Sequence, residues 1–104
     1  MPQHVQLRRY TVEAEAMPAF LDWWQGLVRI RERFGYRLLL AVTSADSTEL
    51  TWLLEADRPF EELDPVYNAS EERAAYFRSN PGGVVSQAVS SVETVGGRWV
   101  EADR

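Results

Sequence analysis

"YRLLLAVTS", residues 36–44, and "ELTWLLEAD", residues 49–57, decide the fold. Both are rich in residues suited to strands, and only "ADST" separates them, so they read as an antiparallel hairpin. An antiparallel sheet with one wet face alternates apolar and polar side chains. Here Leu38 to Val42 run unbroken, and Leu50, Trp52, Leu53 and Leu54 nearly so. Successive strand residues point to opposite faces, so both faces carry apolar side chains. Helices can cover one face. A two-fold copy of the same sheet is the simplest cover for the other. The expectation is a homodimer packed sheet against sheet.

Working outward, "HVQLRRYTV" (4–12) is a strand without Gly or Pro. "EAEAM" then leads to Pro18, which suits the first turn of a helix. Phe20, Trp23, Trp24, Leu27, Ile30 and Phe34 recur at three- and four-residue steps and form one apolar stripe. Asp22, Gln25, Arg29, Glu32 and Arg33 lie opposite. Gly35 stands where a left-handed C-cap is expected. Residues 58–80 read as a helix in two pieces. Asp64 and Pro65 are expected as N-cap and first helical residue of one piece. Asn68 or Ser70 restarts the helix, with Glu71 and Glu72 in its first turn. "NPGG" (80–83) stops it, and "VVSQAVSSVETV" (84–95) is the last strand. "RWVEA" (98–102) would extend the edge. The order β-α-β-β-α-β is the ferredoxin-like arrangement, an α+β fold with a four-stranded antiparallel sheet and two helices on one face.

The bulk numbers set the outer bounds. A chain of 104 residues is expected to be one domain, spanning 1–104. The net charge of −5 and the absence of a clustered basic excess argue against a nucleic-acid partner. Cysteine is absent, which removes disulfides, thiolate nucleophiles and thiolate metal ligands. The first ten residues hold no apolar run of signal-peptide length, and no segment approaches the ~20 apolar residues of a membrane span. A soluble, cytoplasmic protein with no membrane association is expected.

The order, length and two-faced strands resemble the dimeric α+β barrel superfamily. "QLRRYTV" in the first strand, "FLDWW" opening the first helix, "FGYR" after it, "LTWLLEAD" in the third strand and "YNASEER" in the second helical region resemble the NIPSNAP family. The resemblance covers residue 4 to about 95. One departure is the segment Glu13-Ala14-Glu15-Ala16, where a Gly is usual in the family's turn. Neighbouring families on this barrel include cofactor-free antibiotic-biosynthesis monooxygenases, polyketide cyclases, haem-degrading enzymes and ligand binders. Fold analogy does not choose among them. The resemblance implies a ligand cavity between the sheet and its helices.

No metal and no cofactor are expected. The only histidine, His4, heads the first strand, whereas the haem-degrading relatives carry one on a helix. His4 is retained as an acid–base candidate because its ordinary pKa suits proton transfer near neutrality. The acidic "EELD" (61–64) reads as a solvated helix face. Tyr10, Trp24 and Trp52 are core residues on their own. Together, on facing elements, they could line a small-molecule cavity with indole and phenol donors. Tyr67 and Arg73 are six residues apart and share a side only if the helix breaks between them. Arg73 either pairs with Glu55, Asp57 or Glu72, or binds an anionic enolate or carboxylate with Tyr67 as a further donor. The catalytic candidates are thus Tyr67, Arg73 and His4, and the ligand-binding candidates Tyr10, Trp24, Trp52, Tyr67 and Arg73.

Three functions follow: a homodimer that binds a small apolar or aromatic molecule, a cofactor-independent monooxygenase or polyketide-cyclase-like enzyme, or an interaction module without a ligand. A cavity of about 300 Å³ or more lined by these candidates favours the first two.

Overall fold

A computed structural model describes residues 4–96. The elements run β1 (His4–Val12), α1 (Met17–Arg33), β2 (Tyr36–Thr43), β3 (Glu49–Ala56), α2 (Phe60–Asn68), α3 (Glu71–Phe77) and β4 (Val84–Val92). The strands form one antiparallel sheet in the order β2-β3-β1-β4. This is the ferredoxin-like α+β arrangement expected from the sequence, with the second helical region divided in two. "RWVEA" lies outside the described residues.

Strand register separates the two faces. Tyr10 opposes Leu50, Arg8 opposes Trp52 and Gln6 opposes Leu54, so these six share the face that the helices cover. Trp24 and Phe20 of α1 and Tyr67 of α2 join Trp52, Leu50 and Leu54 in the core. Each such buried side chain contributes about 2 kcal/mol of transfer free energy.

The opposite face is more mixed than the unbroken leucine run implies. Leu7 and Leu53 lie there beside Thr11 and Thr51, and β4 adds Ser86 and Ser90. The run itself is broken by a bulge between Leu38 and Leu40 in β2. The extra residue resets the alternation, so Leu38 and Ala41 turn inward while Leu40 and Val42 turn outward. Leu40 and Val42 stay 40% and 50% exposed, apolar side chains with water as their neighbour.

Three local expectations are corrected or sharpened. Asp64 and Pro65 do not open a helix. α2 starts at Phe60 after Pro59, leaving Pro65 inside it. Asp64 is used elsewhere: it accepts a 2.5 Å hydrogen bond from the Tyr36 hydroxyl. The Glu13–Ala16 segment, which lacks the usual glycine, closes as a 3-10 turn over Ala14–Ala16. The last strand ends at Val92 rather than 95. Ser70 does cap α3, its Oγ accepting from the Arg73 amide at 3.1 Å. Gly35 takes φ +103° after α1, the positive region that ends a helix cheaply only with glycine.

No helix among the described residues is long and apolar enough to cross a membrane.

Candidate functional site

The helices stop short of β4, where Gln87 and Val89 stay exposed although they lie on the helix-facing side. Between this edge and the helices is a cavity of about 130 Å³. β1 and β4 contribute Arg8, Tyr10 and Gln87. α1 contributes Phe20, Trp23 and Arg31. Arg73 and Phe77 of α3 close the side, with Asn80 just beyond. The volume is smaller than the 300 Å³ expected, so the cavity suits a small molecule or one end of a larger one.

Three arginines line this cavity, and no lining residue is acidic. Each guanidinium is positioned from behind. Arg8 donates through Nε to Gln6 Oε1 at 3.0 Å and through Nη1 to the Tyr10 hydroxyl at 3.2 Å. Both partners are two residues away on the same strand face. Arg31 is only 6% exposed and lies in an aromatic box. Its guanidinium carbon is 4.3 Å from the Tyr67 ring centroid, 5.0 Å from Tyr36 and 5.7 Å from Trp52. Arg73 lies 4.1 Å over the Phe77 ring and 5.4 Å from Tyr67. Cation–π attraction at such distances holds the guanidinium planes without consuming their N–H groups.

The three carboxylates that looked like partners for Arg73 are taken. Glu55 and Asp57 bind Arg37, at 2.9 Å each. Glu72 binds Arg33 across to α1. The expected Arg73 ion pair with Glu55, Asp57 or Glu72 therefore does not form, because those carboxylates bind other guanidiniums.

Burial lowers the pKa of Arg31 from its ordinary value, and the charge of Arg8 lowers it further. It remains a cation at neutral pH. Burial raises the pKa of Tyr67, while Arg31 and Arg73 draw it down. The Tyr67 hydroxyl is buried and has no hydrogen-bond partner among the described residues.

The residues singled out in the sequence fall into three groups. Tyr10 and Arg73 line the cavity. Tyr67, Trp24 and Trp52 stand in the wall behind it: Tyr67 is stacked against Arg31, and Trp24 meets Trp52 edge-on at 5.3 Å. The helix break at Ala69 and Ser70 brings Tyr67 and Arg73 together despite their spacing. His4 lies at the end of β1 opposite Ala56, outside the cavity lining. Arg8 and Arg31 were not foreseen. Arg31 sits four residues after Leu27 and seven after Trp24, on the apolar stripe itself.

Among solved structures, this fold is similar to a NIPSNAP domain protein from Burkholderia xenovorans. The TM-score is 0.76 at 18% identity, covering 88% of this chain and 94% of that one. It is similar to a NIPSNAP family protein from Agrobacterium tumefaciens strain C58, with TM-score 0.77, 11% identity and coverage of 90% and 94%. A candidate antibiotic biosynthesis monooxygenase from Bacteroides thetaiotaomicron gives TM-score 0.71 at 16% identity, covering 89% and 90%. The chain has a NIPSNAP-like fold. Identities this low speak for the backbone architecture and leave the chemistry to the residues. No protein-family model and no curated protein matches the chain.

The NIPSNAP-like fold places the cavity on its helix-covered side, with an aromatic wall and a cationic lining. Such a site can orient a small molecule, exclude water from it and hold negative charge on it.

Proposed function

We propose that the protein is a homodimer, packed sheet against sheet, that binds a small, partly aromatic molecule between sheet and helices. One observation carries the binding: a cavity walled by the rings of Tyr10, Phe20, Trp23 and Phe77, with polar groups converging from four elements. An interaction module without a ligand would have filled this space with side chains, since interiors close-pack. Leu40 and Val42 on the uncovered face support the dimer.

A second reading is favoured by the likeness in fold to the candidate monooxygenase. It is oxygenation of an electron-rich aromatic by dioxygen, without a cofactor. The substrate would supply the carbanion or phenolate, and the arginines would stabilise that charge.

The test is a thermal-shift screen of small aromatic acids, phenols and neutral aromatics, followed by a crystal structure of any hit. The expected result is a hit seated between Tyr10 and Phe77. Oxygen uptake in the presence of the hit, lost in Arg73→Ala, would establish the enzyme over the binder. A screen without hits, or a hit bound elsewhere, would overturn the reading.

A further inference from the structure

Among the described residues, the buried side-chain polar atoms left without partners are strongly one-sided. They are Trp24 Nε1, Trp52 Nε1, Arg31 Nε, Arg31 Nη1, Arg73 Nε and the Tyr67 hydroxyl. Five are N–H groups that can only donate, and the sixth can donate. No carbonyl, carboxylate or amide oxygen of a side chain is among them. Of these residues Arg31 and Arg73 line the cavity, and an arginine can only donate, so they are complementary to a ligand that accepts.

Charge points the same way. A protein of net charge −5 gathers Arg8, Arg31 and Arg73 around one cavity. The described ion pairs use Arg33, Arg37 and Arg58 and none of these three. Burying a cation without a counter-charge is costly, and Arg31 is nearly fully buried. Its aromatic box fixes the guanidinium plane, and no acidic side chain lines the cavity to meet its charge. The rest of the lining is aromatic, which a bare inorganic anion would leave unmatched.

We infer that the ligand is a carboxylate, borne by a small aromatic acid and held by Arg31 and Arg73 with Arg8 supporting. This rests on the cavity reading above and names the chemistry it selects. The carboxylate supplies the acceptors and the counter-charge that the chain withholds, and the ring of the acid meets Tyr10, Phe20 and Phe77.

Isothermal titration of the full chain with benzoate, benzamide and inorganic phosphate separates the possibilities. Benzamide keeps the ring and the size but removes the charge. Benzoate is expected to bind about tenfold or more tighter than benzamide, and to weaken with added salt. Arg73→Gln and Arg31→Gln should each cost benzoate about tenfold and cost benzamide, which keeps one neutral acceptor oxygen, clearly less. Arg73 is half-buried, so its variant carries the test if Arg31→Gln fails to fold. Equal affinity for benzoate and benzamide would overturn the carboxylate and leave the cavity reading standing. Phosphate binding as tightly as benzoate would also overturn it. Binding of neither aromatic would remove both readings.

Discussion

The Arg31 guanidinium carbon lies 4.3 Å from the Tyr67 ring centroid, and the hydroxyl of that same ring is buried with no acceptor for its proton among the described residues. A few ångströms away, Tyr36 also stacks its ring near Arg31, but its hydroxyl donates to Asp64. Burial first, and this hydrogen bond second, push the Tyr36 pKa well above the ordinary tyrosine value. The two tyrosines of one box thus differ in whether the hydroxyl has an acceptor.

That difference predicts opposite results for one substitution. Tyr36→Phe should lower stability by about 2 kcal/mol, since it removes a donor from a carboxylate. Tyr67→Phe should leave ligand-free stability unchanged or raise it by about 1 kcal/mol, because no bond is lost and a desolvated hydroxyl is removed. Urea unfolding of the two variants checks this. A loss at Tyr67 equal to that at Tyr36 would show that the hydroxyl has a partner.

Arg31 sets a second contrast between stability and binding. Replacing a buried, unpaired charge by an apolar side chain of similar length is commonly neutral or stabilising. Arg31→Met should therefore leave the melting temperature of the free protein no lower than wild type. The benzoate-induced rise in melting temperature should shrink in step with the weaker binding. A variant that melts well below wild type would assign Arg31 to holding the aromatic box together.

The sequence carried much of this, unevenly. α1 and the strands are legible because burial imposes its period directly on residue type, as at Phe20, Trp24 and Leu27. The Ser70 cap and Gly35 are legible because each meets a local backbone need. Arg31 is on the same stripe, but a stripe drawn through apolar residues alone passes over it. Arg8 likewise alternates in register with Gln6 and Tyr10. The β2 bulge had no such mark, because five consecutive apolar residues read the same in either register. Asp64-Pro65 misled because a capping aspartate and one that accepts from a distant tyrosine look alike in sequence.

Gly26 is predicted to resist a change that usually helps a helix. Ala in place of Gly inside a helix normally adds about 1 kcal/mol. Here a Cβ would fall 2.0 Å from the Tyr76 hydroxyl and 2.6 Å from its ring carbon Cζ. That hydroxyl donates to the Trp23 carbonyl at 2.5 Å, tying α3 to α1. Gly26→Ala should destabilise by about 1–3 kcal/mol, and Tyr76→Ala in the same chain should make the Gly26 change harmless. Additive losses in the double variant would refute the contact.

The acid limb of stability should involve Asp57 and Asp46. Hydrogen bonding and the charge of Arg37 hold the Asp57 carboxyl below its ordinary pKa. Thr48 and Ser44 do the same for Asp46 by donating to it. A carboxyl depressed in the folded state stabilises fully above its unfolded pKa, about 4, and loses that contribution as pH falls through the folded value. Melting temperature should be flat from neutrality to about pH 5 and fall below about pH 4. Asp57→Asn should lower the plateau slightly and make the fall shallower. An unchanged acid slope in that variant would exclude the Arg37 pair as a source.

The last prediction concerns the uncovered face. Leu40 and Val42 point away from the helices, in register with Leu53 and Thr51 of β3. A stable dimer buries roughly 800 Å² per partner, and apolar side chains at its centre tolerate charge poorly. Light scattering of the wild type should give twice the 11.9 kDa chain mass at micromolar concentration. Val42→Arg should shift it to the single-chain mass, because two copies would bring two unpaired guanidiniums to one apolar contact. The cavity lies on the other side of the sheet, so the monomeric variant should still bind whatever ligand the wild type binds, only more weakly if pairing stiffens β1. A wild type that is monomeric and fully folded would show that Leu40 and Val42 tolerate water, and the dimer would have to be abandoned while the cavity and its arginines remained.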